Sequence, residues 1–162
     1  MDAIVSVTRD WGIGRDGGLL VRNKADMRRF KELTMGGSVI MGRKTFESLP
    51  GGPLTGRNNI VLTRARDLAS SEDIEVARSI DEALALADAY GERAWLIGGA
   101  SLYRQFIDRC SMAYVTFHDI VLDADTYFPD LDGDDAWSCI GITETDFTER
   151  GIPFHFALYE HL

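Results

Sequence analysis

"LIGGASLY", residues 96–103, sets the reading of the fold. It closes the apolar run "AWLIGG" (94–99), which reads as a buried strand, and opens "ASLYRQFIDRC" (100–110), which has helical spacing. A second stretch, "VIMGRKTF" (39–46), repeats the pattern: the strand "SVIMG" (38–42), then the short helix "RKTFESL" (43–49). A helix N-terminus carries free N–H groups and a partial positive charge, and glycine lets an anionic oxygen come close. In a parallel sheet both junctions fall at the C-terminal edge, where ligands bind. Neither is a Walker loop or a full G-x-G-x-x-G fingerprint, and each alone fits an ordinary strand-to-helix turn.

Outward from these junctions the chain alternates. "AIVSV" (3–7) reads as a buried strand and "DWGIGRDGGLL" (10–20) as a long Gly-rich loop. "RNKADMRRFKEL" (22–33) reads as a helix that stops near Gly36-Gly37, "NIVLT" (59–63) as a strand and "IEVA" (74–77) as a short one. "SIDEALALADAY" (79–90) is a helix with Ser79 and Glu82 as its capping box. Strands close the chain: "MAYVTFHDI" (112–120), a stretch around 137–147, and "PFHFALYEH" (153–161). The expected fold is α/β, one domain over residues 1–162. It has a mainly parallel central sheet of about eight strands with an antiparallel C-terminal edge strand, flanked by about four helices.

Composition narrows the function. The net charge of −9 argues against general nucleic-acid binding. Residues 43–66 nevertheless carry a net +4 from Arg43, Lys44, Arg57, Arg64 and Arg66 against Glu47. A basic island in an acidic chain suits an anionic small ligand, and two glycine junctions beside it suit a ligand with several phosphates, such as a dinucleotide. "MDAIVSVT" does not read as a signal peptide, and no segment is long and apolar enough for a membrane span, so a cytoplasmic protein is expected. Cys110 and Cys139 form no redox or metal motif and read as free thiols. His118, His155 and His161 do not group at metal-ligand spacing, and no metal site is expected. "DLDGDDAW" (130–137) lacks the glycine and glutamate a calcium loop needs and reads as a solvated acidic loop.

The helix at 22–33 poses the sharper question. Asp26, Phe30 and Leu33 fall at i, i+4 and i+7, so a carboxylate shares an apolar face, with the Arg and Lys residues expected elsewhere. Asn23 can cap this helix, which makes Asp26 its third residue, a place that suits an acid for structural reasons alone.

The order of "WGIGRDGGL", "ADMRRFKELT", "VIMGRKTFESL", "PLTGRNNIVLT", "LIGGASLY" and "DTYFPD" resembles dihydrofolate reductase, from about Ala3 to Phe128. The resemblance implies reduction of 7,8-dihydrofolate by hydride transfer from NADPH, in an enzyme that also takes antifolate inhibitors and works as a monomer. It places Asp26 against the pterin amino group and the adjacent ring N–H, and Thr116 in the same network. With Leu19 these are the implied catalytic residues. Ile4, Val5, Met27, Phe30, Leu49 and Leu54 would wall the substrate, Ile97 and Tyr103 would lie near the nicotinamide, and Arg57 would pair with the carboxylate of the substrate's tail. For the cofactor it implies Gly42, Arg43, Lys44 and Thr45 at one junction, and Gly98, Gly99, Ala100, Ser101, Leu102 and Tyr103 at the other, with a cis Gly98–Gly99 peptide. Leu62, Thr63, Arg64 and Arg78, with Arg43, would surround the extra ribose phosphate. Ser6, Ile13 and Gly14 would lie along the nicotinamide ribose and amide, Thr126 would support the cofactor from the late loop, and residues 9–23 would form a mobile covering loop.

The chain departs from the family pattern at Leu20-Val21, where Pro-Trp is usual, at Thr55, where Pro is usual, and at Ala100 and Ser101, in place of a common Gly and a frequent Arg. Two rival readings share the cofactor junctions. A reductase of a riboflavin precursor should lack the Asp26, Phe30 and Arg57 set, and a non-catalytic nucleotide-binding module would bind NADPH without turnover.

Overall fold

A computed structural model describes all 162 residues. The first half holds β1 (Asp2–Thr8), β2 (Gly12–Arg15), β3 (Gly18–Leu19), α1 (Lys24–Thr34), β4 (Ser38–Gly42), α2 (Arg43–Ser48), β5 (Asn58–Leu62) and β6 (Glu75–Ala77). The second holds α3 (Ile80–Tyr90), β7 (Ala94–Gly98), α4 (Ala100–Phe106), β8 (Met112–His118), β9 (Thr126–Tyr127), β10 (Trp137–Ile142), β11 (Asp146–Phe147) and β12 (Pro153–His161), with a 3-10 turn at Ile107–Arg109.

The main sheet runs β10-β12-β8-β1-β7-β4-β5-β6, with β11 paired to β12. From β8 to β6 every pairing is parallel, so Thr8, Gly42, Leu62, Ala77, Gly98 and His118 all end at one edge. β12 runs antiparallel to β8, and β10 takes the outermost place beside it. The apolar runs follow from burial on both faces: Val39, Ile40 and Met41 are all wholly buried. One face carries the larger cluster, with Val5, Ile40, Leu96 and Tyr103 among its members. The other carries Val39, Met41, Val61, Ile74, Val76 and Trp95, rimmed by partly exposed Ile4, Leu49, Leu54 and Ile97.

The stretch 10–20 is not the long loop its glycines suggest. β2 and β3 pair as a hairpin, and β9 joins them in a small second sheet. Asp16 and Gly17 both have positive φ, 52° and 80°, which a two-residue turn of this hand requires. Its root is pinned by Trp11, buried despite a left-handed φ of 67°. The indole meets Phe117 edge-on at 4.7 Å and stacks on Phe128 at 6.0 Å.

No helix is long and apolar enough to cross a membrane. Cys110, buried, and Cys139, exposed, are both free thiols.

Candidate active site

Asp26 is the third residue of α1. Asn23 caps the helix, its side chain accepting from the Asp26 N–H at 3.2 Å. The carboxylate turns toward β8, where the Thr116 hydroxyl donates to it at 2.6 Å. Burial is the strongest influence on this group and lifts its pKa above the ordinary aspartate value, against the Thr116 bond, His118, Arg29 and Ser6. A carboxylate in such a place favours a partner that brings paired N–H donors.

The basic residues of α1 do not all lie away from this face. Arg29, at i+3 from Asp26, is half-buried, with its guanidinium 4.0 Å from the Phe156 ring centroid and 5.9 Å from that of Tyr114. Its long stem lets it lie over the aromatic strands while its charge acts on Asp26. Further along, Arg57 donates to the Thr55 carbonyl at 2.9 Å and to the Thr34 hydroxyl at the end of α1 at 3.3 Å. These bonds orient the guanidinium group.

The two glycine junctions lie side by side, because β4 and β7 are neighbours. A shift in pairing after Ile40 carries the ladder from Leu96 to Gly98 and leaves Ile97 as the extra residue. The Gly98–Gly99 peptide is cis. A Cβ built on Gly99 would stand 3.3 Å from the Thr45 hydroxyl, and one on Gly42 the same distance from Leu102, so any bulk here would fill the cradle. α2 and α4 start without side-chain caps, whereas α1 and α3 are capped by Asn23 and Ser79. The first N–H groups of α2 and α4 therefore have no side-chain acceptor.

Beyond β5 and β6, Arg64, Arg66 and Arg78 line an open cleft of about 490 Å³. Arg78 donates to the carbonyls of Thr63, Ala65 and Leu68, holding the loop that presents the other two. Arg43 is paired with Glu47 and Asp67. Uncapped helix starts, a glycine cradle and clustered guanidinium groups fit a phosphorylated dinucleotide.

A family model described as "Dihydrofolate reductase" matches residues 1–161. The chain belongs to the dihydrofolate reductase family. It is 45% identical over 118 residues to dihydrofolate reductase type 3 of Salmonella typhimurium, covering 73% of this chain and 71% of that one. It is 43% identical over 136 residues to a dihydrofolate reductase of Mycobacterium leprae, covering 81% of this chain and 79% of the relative. A solved dihydrofolate reductase from Enterococcus faecalis, complexed with NADP(H) and RAB-propyl, superposes with a TM-score of 0.86 at 30% identity, over 99% of this chain and 95% of that one. The family's reaction is reduction of dihydrofolate with NADPH.

Within this dihydrofolate reductase fold most of the expected residues converge. Asp26 and Thr116 touch, and Ile4, Leu49, Leu54 and Ile97 rim one cluster on the same face. Tyr103, wholly packed on the opposite face, reaches through to donate its hydroxyl to the Ile4 carbonyl at 2.6 Å. Thr126 donates to the Gly14 carbonyl at 3.2 Å, joining hairpin and late loop. Alternation along β1 sends the Val5 side chain into the larger cluster, on the face opposite Ile4. Leu19 and Met27 are largely exposed, Leu19 on β3 and Met27 on α1, while Phe30 is half-buried. Sequence reasoning missed Arg29, although i+3 spacing from Asp26 was a usable signal. It also missed the contact between Asn23 and His118, 95 positions apart, for which the sequence carries no local signal.

Proposed function

We propose that Asp26 and Thr116 hold the pterin of dihydrofolate for reduction, and that the glycine junctions and arginine edge hold NADPH beside it. The observation that carries this reading is the Asp26 carboxylate, lifted in pKa by burial and fixed by Thr116 on an apolar rim. A pterin amino group and its neighbouring ring N–H offer two parallel donors to one carboxylate, a charge-assisted pair. Ile4, Leu49, Leu54 and Ile97 flank the ring, Phe30 and Met27 contribute from α1, and Arg57 takes the carboxylate of the tail.

NADPH, when bound, supplies the hydride for the pterin carbon. Gly42, Arg43, Lys44 and Thr45, with Gly98, Gly99, Ala100, Ser101, Leu102 and Tyr103, hold its pyrophosphate region. Arg64, with Arg43 and the Arg78-braced loop of Leu62 and Thr63, meets the ribose phosphate. Ser6, Ile13, Gly14 and Thr126 bound the nicotinamide end, with Leu19 on the hairpin that covers it. The chain's own part is positioning: it sets two flat rings face to face and keeps water out. The pterin nitrogen next to the reduced carbon takes a proton in the same reaction. Asp26 favours that proton electrostatically, and a water carries it in. The enzyme acts as a monomer in the cytoplasm, and one sheet shared by both core clusters supports a single domain.

The direct test follows NADPH absorbance with dihydrofolate as the only acceptor. Turnover dependent on dihydrofolate is the expected result. Tight NADPH binding with no turnover would overturn the reading in favour of a binding module.

A further inference from the structure

α1 is held to β8 at two points, and only the first, the Thr116 bond to Asp26, belongs to the family site. The second runs through groups with almost no exposure: Asn23 is 4% exposed and His118 0%. The Asn23 Nδ2 lies 3.1 Å from the His118 Nε2, and the His118 Nδ1 lies 3.1 Å from the Val7 carbonyl. One proton arrangement satisfies every group. The Val7 carbonyl can only accept, so Nδ1 carries the hydrogen and Nε2 of the neutral ring is an acceptor. Nε2 then takes an N–H from the Asn23 amide, which leaves the Asn23 Oδ1 to accept from the Asp26 backbone N–H. A flipped amide would set acceptor against acceptor at His118 and donor against donor at the Asp26 N–H.

From this geometry we propose that His118 is a positioning residue for Asp26. It acts through Asn23, fixing the backbone of the residue whose carboxylate Thr116 fixes from the same strand. A charged imidazolium would present a second donor to the Asn23 amide and force the cap on Asp26 to break. Burial keeps the ring neutral, lowering its pKa against the Val7 bond and the charge of Asp26. The groups that face it are few. Asp26 lies on α1 and His155 on β12, and the Arg9–Asp119 ion pair closes the outer side at 2.7 Å. Ser6 on β1 stands 3.5 Å from Nδ1 without a charge.

The inference rests on Asp26 acting in dihydrofolate reduction, and its test separates the two. Side-chain 15N NMR of the wild-type enzyme should show His118 as the neutral Nδ1–H tautomer at neutral pH. An Nε2–H tautomer or an imidazolium there would overturn the proposal, whatever the enzyme turns over. Asn23→Ser keeps a side-chain acceptor for the helix start but is too short to reach His118. We expect it to fold with wild-type helix content and to lower kcat/KM for dihydrofolate about tenfold, with KM for NADPH unchanged. The midpoint of its pH–rate profile should move down toward the ordinary carboxylate range, as the loosened carboxylate gains solvent. His118→Leu should move the profile the same way. A wild-type profile in Asn23→Ser would reduce Asn23 to a plain helix cap and overturn the proposal. Absence of dihydrofolate turnover in the wild type is instead a failure of the functional reading, which the NMR experiment does not depend on.

Discussion

The two ends of the candidate site are built on opposite rules. Around Asp26 the polar groups are partnered within the chain: Thr116 holds the carboxylate, Asn23 holds its N–H, and His118 holds Asn23. At the other end α2 and α4 begin without side-chain caps, and Arg64, Arg66 and Arg78 surround open space. A preset carboxylate can recognise a flat heterocycle by one pair of hydrogen bonds, so it must not wander. A polyanion brings its own charge and is held by many partial contacts, so that end needs free donors more than rigidity. Single changes should therefore be severe at the first end and graded at the second.

The largest effect is expected from Asp26→Asn, which keeps the shape and removes the charge. Turnover at neutral pH should fall by about 100-fold or more, measured by NADPH absorbance, with part of the loss recovered in acid as solvent protonates the pterin. A variant within a few-fold of wild type would break the contrast. Next comes Arg57→Leu. Its fork is oriented by Thr34 and Thr55, so KM for dihydrofolate should rise roughly 10- to 100-fold while KM for NADPH holds. Arg64→Gln should be milder, raising KM for NADPH about tenfold and leaving NADH use unchanged, with the difference shrinking at high salt. Equal loss with both dinucleotides would show that Arg64 does not read the extra phosphate.

The smallest effect is on stability, and it has a definite sign. The folded-state pKa of Asp26 lies above its ordinary value, so the fold favours the protonated form. Stability is then fullest below the unfolded pKa and is lost as pH rises through the folded one. Asp26→Asn should melt above wild type at neutral pH, and the gap should close in acid. Thermal melts across that pH range check this directly.

Much of this was legible in the chain before the structure. Val39, Ile40 and Met41 form an unbroken apolar run because helices cover both faces of the sheet, and the glycine junctions marked its ligand edge. The hairpin at 12–19 reads as loop because its strands are short and half glycine, with only Ile13 and Leu19 apolar, although Asp16-Gly17 is the turn such a hairpin needs. Alternation along β1 already separates the side chains of Val5 and Ile4 onto opposite faces. The aromatic seat of Arg29 comes from Phe156, 127 positions away, and the partner of Asn23 from β8. Local periodicity cannot report such contacts, since they are set by which strands the sheet brings together.

The measurement closest to the centre of this account is the titration of the Asp26 carboxyl itself, by 13C NMR of the ligand-free enzyme, assigned by its loss in Asp26→Asn. The midpoint should lie above the ordinary aspartate range, set by burial on the apolar rim. A midpoint at or below that range would mean a carboxylate at ease in water, and would contradict the claim that Asp26 is held ready for the pterin.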